Sequence, residues 1–244
     1  MAEPTNPTGM MAVNIARQRR FWNRRAASWD HGAWTNPGLV RVVDQVISEA
    51  APGVEHLAID LGCGSGQLTL KLAPHVAEVL AVDVSKAMID LLEANAQRAG
   101  VHNVVGRAAA VEQLEIAEGS VDLVVSNYVL HHLRDEDKAR LVQKAATWLR
   151  PGGRLVVGDM MFGRGGNARD REIIGSKVLL MVKKGPAGWW RLAKNAGRFL
   201  FRLQERPVSM AAWVSMFEQA GLVEVHATPV VNEAAVVCGT RPLT

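Results

Sequence analysis

Apolar positions along the chain follow two alternating periods. Short apolar runs that end in an acid or a small polar residue occupy His56 to Leu61, Glu78 to Asp83, Asn103 to Ala108, Val121 to Ser126 and Arg154 to Asp159. Runs of this length predict strands buried on both faces. Between them the period lengthens. A helix is expected from about Gln67, and after Ser85 the residues Ala87, Met88, Leu91, Leu92 and Ala94 share one helical face. Ser85 serves there as N-cap and Gly100 as the closing glycine. A further helix spans Asp135 to Leu149 and is stopped by Pro151-Gly152-Gly153. Strand and helix thus alternate from about residue 37 to residue 159, which predicts five parallel strands joined by helical crossovers.

After Asp159 the rhythm breaks, and about forty-eight residues rich in Lys, Arg, Trp and Phe intervene. Ser209 then caps a helix to about Ala220, closed by Gly221, and Leu222 to Ala227 and Ala234 to Gly239 form an antiparallel pair across a polar turn. The expected fold is α/β, a Rossmann-like doubly wound seven-stranded sheet, mostly parallel with a terminal antiparallel strand, plus a helical lid insertion.

Composition narrows the class. The chain has 244 residues, room for one large α/β domain with a lid and short for two. Hydrophobic residues at 48% and charged residues at 21% are those of a soluble globular protein and exclude disordered and fibrous classes. No apolar stretch reaches the length of a bilayer span, and the opening residues, with Glu3, Pro4, Asn6 and Pro7, lack the order of a secretory signal, so a cytoplasmic protein is expected. Cys63 and Cys238 are the only cysteines. They are too few for a disulfide framework or a zinc site, and two free thiols and no metal are expected. The net charge of +4 is unevenly spread: residues 1–25 carry +4, 26–159 carry −6, 160–207 carry +8 and 208–244 carry −2. Such basic blocks suit nucleic acid, anionic lipid or an acidic substrate, and equally the solvated faces of surface helices.

The stretch Asp60-Leu61-Gly62-Cys63-Gly64-Ser65-Gly66 places three glycines at alternating positions after a buried strand. The backbone can turn sharply there with nothing projecting into the crevice, so a ligand can lie against main chain. The alternative is a tight turn alone. Asp83 ends the second strand about twenty residues on, where a carboxylate can accept both hydroxyls of a ribose, or can simply favour a helix N-terminus. A dinucleotide loop would require glycine or alanine at residue 67, which is Gln.

The loop resembles the E/DxGxGxG motif of class I S-adenosylmethionine-dependent methyltransferases. The likeness continues in Asp83, in Ser126-Asn127-Tyr128-Val129-Leu130-His131-His132-Leu133 and in Leu149-Arg150-Pro151-Gly152-Gly153. It covers roughly residues 20 to 160 and 205 to 240 and is similar to the ubiquinone and menaquinone methyltransferase branch with its natural-product relatives. The resemblance implies S-adenosyl-L-methionine as cofactor. Backbone around Gly62, Gly64 and Gly66 would receive the aminocarboxypropyl arm, oriented by Asp60, while Asp83 takes the ribose and Asn127 faces the methionyl part. In the family an Asp-Ala-Glu type segment holds the adenine; here Ala110, Val111 and Glu112 stand in its place, so only the backbone of Ala110 and Val111 carries over. The same likeness divides the chain into an N-terminal cap helix region (1–36), a cofactor-binding core (37–159), a helical lid insertion (160–207) and a C-terminal helix and β-hairpin completing the core (208–244).

Methyl transfer from a sulfonium is an in-line displacement that needs alignment and a dry cleft, and a base only if the acceptor enters protonated. His131 matches a catalytic histidine of phosphoethanolamine methyltransferases, which this segment resembles; the other reading is a histidine bonded to a neighbouring carbonyl. Trp29-Asp30 stands where relatives carry an aromatic-Asp pair, and Phe21, Trp22 and Trp29 either cover the cleft or pack their helix on the sheet. The acceptor is expected to be a small, apolar metabolite such as a quinone, lipid or natural product. A cofactor-binding protein without turnover is the alternative. A nucleic-acid methyltransferase ranks behind both, since Ser126-Asn127-Tyr128-Val129 replaces the N/D-PP-Y/F tetrapeptide of base N-methylating enzymes, and no nucleic-acid partner is expected. Arg191, Lys194, Arg198 and Arg202 recur at helical spacing, as on a solvated lid or on a helix resting peripherally on anionic membrane.

Overall fold

The computed structural model describes residues 9–163, 168–182 and 205–244. Seven strands form one sheet: β1 (Leu57–Leu61), β2 (Glu78–Asp83), β3 (Val104–Ala108), β4 (Val121–Asn127), β5 (Leu149–Met160), β6 (Val223–Pro229) and β7 (Ala234–Thr240). Their spatial order is β3-β2-β1-β4-β5-β7-β6. β1 to β5 are mutually parallel, and β7 runs antiparallel to β5 on one side and to β6 on the other. The expected antiparallel strand is thus last in the chain yet second from the sheet's edge, and β6 outside it points the same way as β5.

The helices are α1 (Gly9–Ala33), α2 (Pro37–Ala50), α3 (Gln67–Leu72), α4 (Lys86–Ala99), α5 (Asp135–Trp148), α6 (Ala168–Val182) and α7 (Met210–Gln219). Local chemistry sets most of their ends. Asn36 Oδ1 accepts the N–H of Gly38 at 2.9 Å ahead of Pro37 at the first turn of α2. Ser85 and Ser209 cap α4 and α7 through the N–H of Met88 and Ala212, and Gly100 closes α4 at φ 66°, a conformation glycine adopts without a Cβ penalty.

Two apolar layers sandwich the sheet. On one side Val42, Val43, Val46 and Ala50 of α2 meet Leu68 and Leu72 of α3 over Val79, Leu123 and Val156. On the other, Leu141, Val142, Ala145 and Trp148 of α5 pack with Trp213 and Phe217 of α7 over Ile59, Val124 and Val237. Each such fully buried side chain contributes about 1.5–3 kcal/mol relative to exposure. β3 at the edge is half exposed.

Pro151-Gly152-Gly153 departs from the sequence reading. It follows the end of α5 as expected, but the chain is already in β5 from Leu149, and the triplet sits in an irregularity where the β4–β5 register shifts between Val121 and Leu123. The strand crosses it because Gly152 takes φ 80° and because Gly152 N–H and Gly153 C=O bond Arg241 across to the C-terminal segment at 2.9 and 2.8 Å. Within the expected insertion 160–207, α6 is described, whereas the basic face of Arg191, Lys194, Arg198 and Arg202 lies outside the described residues. Cys63 and Cys238 are buried free thiols. Among the described residues no helix is long and apolar enough to cross a membrane.

Candidate active site

The carboxyl ends of β1, β2 and β4 open into a cavity at the point where strand order reverses between β1 and β4, the place where an open α/β sheet leaves a crevice. Asp60, Gly62, Gly64, Asp83, Val111 and Asn127 line it. At its base the loop after β1 turns over the end of β2: the N–H groups of Gly62 and Cys63 both donate to Val82 C=O, at 2.7 and 3.0 Å. The three glycines do different work. A Cβ at Gly62 would fall 2.4 Å from Val129, and one at Gly66, which lies outside the cavity lining, 2.5 Å from Leu92 of α4. A Cβ at Gly64 would approach nothing nearer than the Trp29 indole nitrogen, 3.8 Å away. Gly62 and Gly66 are close-packing positions, and Gly64 leaves the cavity open.

Two acids face this space. Asp83 accepts the N–H of Ser85 at 2.8 Å and of Gly64 at 3.1 Å. Asp60 accepts the Thr69 hydroxyl at 2.6 Å through one oxygen, and its other oxygen is buried with no hydrogen-bond partner among the described residues. Burial pushes Asp60 up to about 7, against the Thr69 bond and helped by the charge of Asp83. Burial likewise pushes Asp83 up to about 6, against the two backbone N–H bonds. Asn127 Oδ1 is also buried without a partner among the described residues. Such a site favours a ligand that brings positive charge and hydrogen-bond donors. S-adenosylmethionine, with an ammonium, a sulfonium and two ribose hydroxyls, fits this donor set. Ala110 is buried one position behind Val111, at the start of a single 3-10 turn, and the neighbouring Glu112 lines the cavity with its carboxyl raised by burial.

A second cavity of about 580 Å³ lies alongside, and Gln18, Trp22, Trp29, Leu39, Tyr128 and His132 line both. Tyr128 at this junction holds φ 56°, a left-handed backbone that costs a non-glycine residue about 1–3 kcal/mol and clusters at functional sites. His131 lines the second cavity and not the first. Its Nδ1 is 2.5 Å from Asp159 Oδ1, and its backbone N–H donates to Asp159 Oδ2 at 2.8 Å. Asp159, at the end of β5, is fully buried and also accepts the N–H of Met160 at 2.7 Å. A carboxylate only accepts, so the proton in this contact is carried by Nδ1.

The cap comes from α1. Trp22 and Trp29 stand edge to face, 5.4 Å between centroids. Asn23 Oδ1 accepts the Ser85 hydroxyl at 2.7 Å, and Asp30 accepts from Asn95 Nδ2 at 3.2 Å and from Trp34 Nε1 at 2.8 Å. The two tryptophans therefore cover the crevice while polar bonds fasten their helix to α4. Asp159 escaped the sequence reading as a site residue, and Glu112 was placed at the adenine segment without a role for its side chain. Asp159 carried the same strand-end signal as Asp60 and Asp83, but the three residues after it are Met160, Met161 and Phe162 and not the start of an alternating glycine loop.

Residues 58–153 match the methyltransferase domain family. The chain is 33% identical over 114 residues to the uncharacterised methyltransferase YcgJ of Bacillus subtilis, covering 47% of this chain and 44% of that protein. It is 31% identical over 115 residues to phosphoethanolamine N-methyltransferase 1 of Triticum aestivum, covering 46% and 22%. The chain spans less than half the length of these curated relatives. Among solved structures, magnesium protoporphyrin IX methyltransferase from Synechocystis with bound S-adenosylhomocysteine superposes with a TM-score of 0.67 at 19% identity, over 93% of this chain and 99% of that one. The YcgJ structure does so with a TM-score of 0.59 at 19% identity, over 82% and 98%. The solved structures establish the shared fold. Residues 58–153, which carry the glycine loop at the crevice, are thus similar to the methyltransferase domain family, and the chain shares its fold with a structure solved with bound S-adenosylhomocysteine.

Proposed function

We propose that this protein transfers a methyl group to a small acceptor seated in the second cavity, with His131 as the general base. The observation that carries the reading is the pair of cavities sharing Tyr128 and Trp22, one against the glycine loop and the other against the His131–Asp159 pair. When bound, the cofactor supplies an electrophilic methyl group. Asp60 and Asn127 hold its amino acid end, the backbone at Gly62 and Gly64 leaves it room, Asp83 takes the ribose, and Val111 with Glu112 meets the adenine. Asp159 fixes the imidazole so that Nε2 can take a proton from an acceptor hydroxyl or ammonium, and it stabilises the imidazolium that results. The indoles of α1 exclude water from the junction, which strengthens these interactions.

The acceptor class is a metabolite whose O, N or C is methylated, handled in the cytoplasm. Contact with an anionic membrane would rest on Arg191, Lys194, Arg198 and Arg202, and sedimentation with anionic vesicles at low salt tests it. The enzyme reading is tested by methyl release from labelled cofactor against a metabolite panel. Turnover that His131→Ala removes and His132→Ala spares is the expected result. A protein that binds the cofactor yet releases no methyl group to any acceptor would leave only the binding-protein reading.

A further inference from the structure

The second cavity carries a charge pattern that general-base chemistry does not use. Arg17, Phe21 and Arg25 recur every four residues of α1, so they form one stripe along the helix. All three line the cavity, and Arg41 of α2 joins them. The Arg25 guanidinium lies over the Phe21 ring, 4.8 Å from its centroid. Among the described residues, Arg17, Arg25 and Arg41 meet no carboxylate in an ion pair. The carboxylates on the cavity wall, Glu205 and Glu233, come from other segments, and burial, with the charges of Glu233 and Asp159 behind it, raises the Tyr128 phenol. The wall also carries the rings of Trp22, Trp29 and Tyr128, together with Arg206 and with polar and aliphatic residues such as Gln18, Asn36 and Leu39.

We infer that the acceptor is an anion, an aromatic or apolar body bearing a carboxylate or phosphate, with Arg17, Arg25 and Arg41 holding the anionic group and the indoles holding the body. This rests on the proposed methyltransferase reading and narrows its acceptor class. Arg17, Arg25 and Arg41, all exposed, leave the cavity wall with more positive charge than Glu205 and Glu233 offset, and an anion can take charge-assisted, two-pronged hydrogen bonds from them. These arginines share the cavity wall with aromatic rings and with His131, which sets them apart from Arg20 and Arg24 on the outer side of α1. Low-dielectric aromatic walls also concentrate the positive field at the mouth, which draws an anionic acceptor in. The anion lies at the α1 and α2 side of the cavity, which leaves the reacting atom between Tyr128 and His131.

The test uses the full chain saturated with S-adenosylhomocysteine and titrated with 1-naphthoate, 1-naphthyl phosphate and neutral methyl 1-naphthoate. The expected result is that at least one anion binds about tenfold or more tighter than the ester, with an affinity that falls as salt rises. Comparing the two anions separates carboxylate from phosphate recognition. Arg25→Gln and Arg41→Gln should each weaken the anion several-fold and leave the ester and the S-adenosylhomocysteine affinity unchanged. Equal binding of ester and anion overturns the inference, as does retention of anion affinity in both variants, or no binding of either anion to the loaded protein. Failure of S-adenosylhomocysteine itself to bind rejects the underlying methyltransferase reading instead.

Discussion

The two cavities that meet at Tyr128 are built from different materials. The one under the glycine loop is built on backbone turns and side chains at the ends of β1, β2 and β4 and in the turn after β3, with Ile15, Gln18, Trp22 and Trp29 of α1 and Leu39 of α2 over it. The other is made largely of side chains from α1 and α2, a loop after β4, the end of β5 and residues 205–206 and 231–233. The base of the first is a property of the sheet, whereas the second is assembled almost wholly from segments remote from one another in sequence. A family can therefore keep one while its acceptor site diverges, and substitutions in the two should separate binding from turnover.

The sharpest separation is expected at the glycines. Gly64→Val places a branched side chain in the cavity at φ 52° and should reduce S-adenosylhomocysteine binding below detection, with a stability loss of about 1–2 kcal/mol for the left-handed backbone. Gly62→Ala and Gly66→Ala drive a methyl into Val129 and Leu92 and should lower Tm far more. Calorimetric titration and thermal melting on the three variants decide it. If Gly64→Val binds like the parent, the ligand does not lie against this loop.

On the acceptor side, His131→Ala and Asp159→Asn should each lower kcat by about 10²–10⁴ and leave cofactor affinity within about twofold. Asp159→Asn is the more discriminating, because an amide in place of the carboxylate no longer fixes which ring nitrogen holds the proton. An unchanged kcat in both variants would make the pair a structural link between the loop after β4 and the end of β5.

These first predictions also mark what was legible in the sequence. Asp60 to Gly66 and Asp83 could be read because strand and loop lie within a few residues of one another, and the strands themselves followed from the apolar runs. Yet the glycines looked alike: only packing distinguishes Gly66, set against Leu92, from Gly64. Asp159 was missed because its partner His131 is 28 residues away, and the arginines because nothing in a helical stripe says that it faces a cavity. Lys138, buried and donating to the C=O of Leu133 at 3.0 Å and of Arg206 at 2.7 Å, is a similar case. It ties the loop after β4 to a segment some seventy residues on.

A smaller effect, on the cofactor side, is expected from Asp83→Ala. Lost hydrogen bonds to a charged group cost about 1.5–3 kcal/mol, which is about tenfold or more in affinity. Because Asp83 also accepts the N–H of Gly64 and Ser85, Tm should fall as well. Unchanged affinity would leave Asp83 as a loop brace. Acidity gives an independent view of the same acids. Asp60 and Asp83 sit at about 7 and about 6 in the folded protein, above the ordinary 3.8. Between about pH 4 and pH 7 the unfolded chain thus holds fewer protons than the folded one, and the ligand-free protein should lose stability as pH rises through that window. Asp60 must be ionised to meet the ligand's ammonium and Asp83 to accept from both ribose hydroxyls, so the affinity should rise over the same window. Melting curves and titrations at pH 5.5, 6.5 and 7.5 that fail to move in opposite directions would show that these acids do not meet the ligand's positive charge.

The smallest effect lies outside both cavities, where Glu49 at the end of α2 meets His226 of β6 at 2.9 Å and Thr228 at 3.3 Å. His226 also donates from Nδ1 to Glu224 C=O at 3.0 Å, and that bond, with Glu49, holds its imidazole above the ordinary 6.5. Burial works to raise Glu49, but the bonds from His226 and Gln45 outweigh it and leave the carboxyl below the ordinary 4.5. The two groups bound one window. The histidine's contribution is complete below 6.5 and fades as pH rises through its elevated folded value, while the glutamate's is complete above 4.5 and fades as pH falls through its depressed one. His226 is half exposed, so solvent screening keeps the pair under about 1 kcal/mol, or no more than about 4 °C in Tm for a chain of this size. His226→Ala should therefore lower Tm by a few degrees at pH 5.5 and by less at pH 8.5, with S-adenosylhomocysteine affinity the same at each pH as in the parent. A ligand affinity that moved with His226 would mean that this edge of the sheet is coupled to the crevice, and the division between a local cofactor cavity and an assembled acceptor cavity would have to be redrawn.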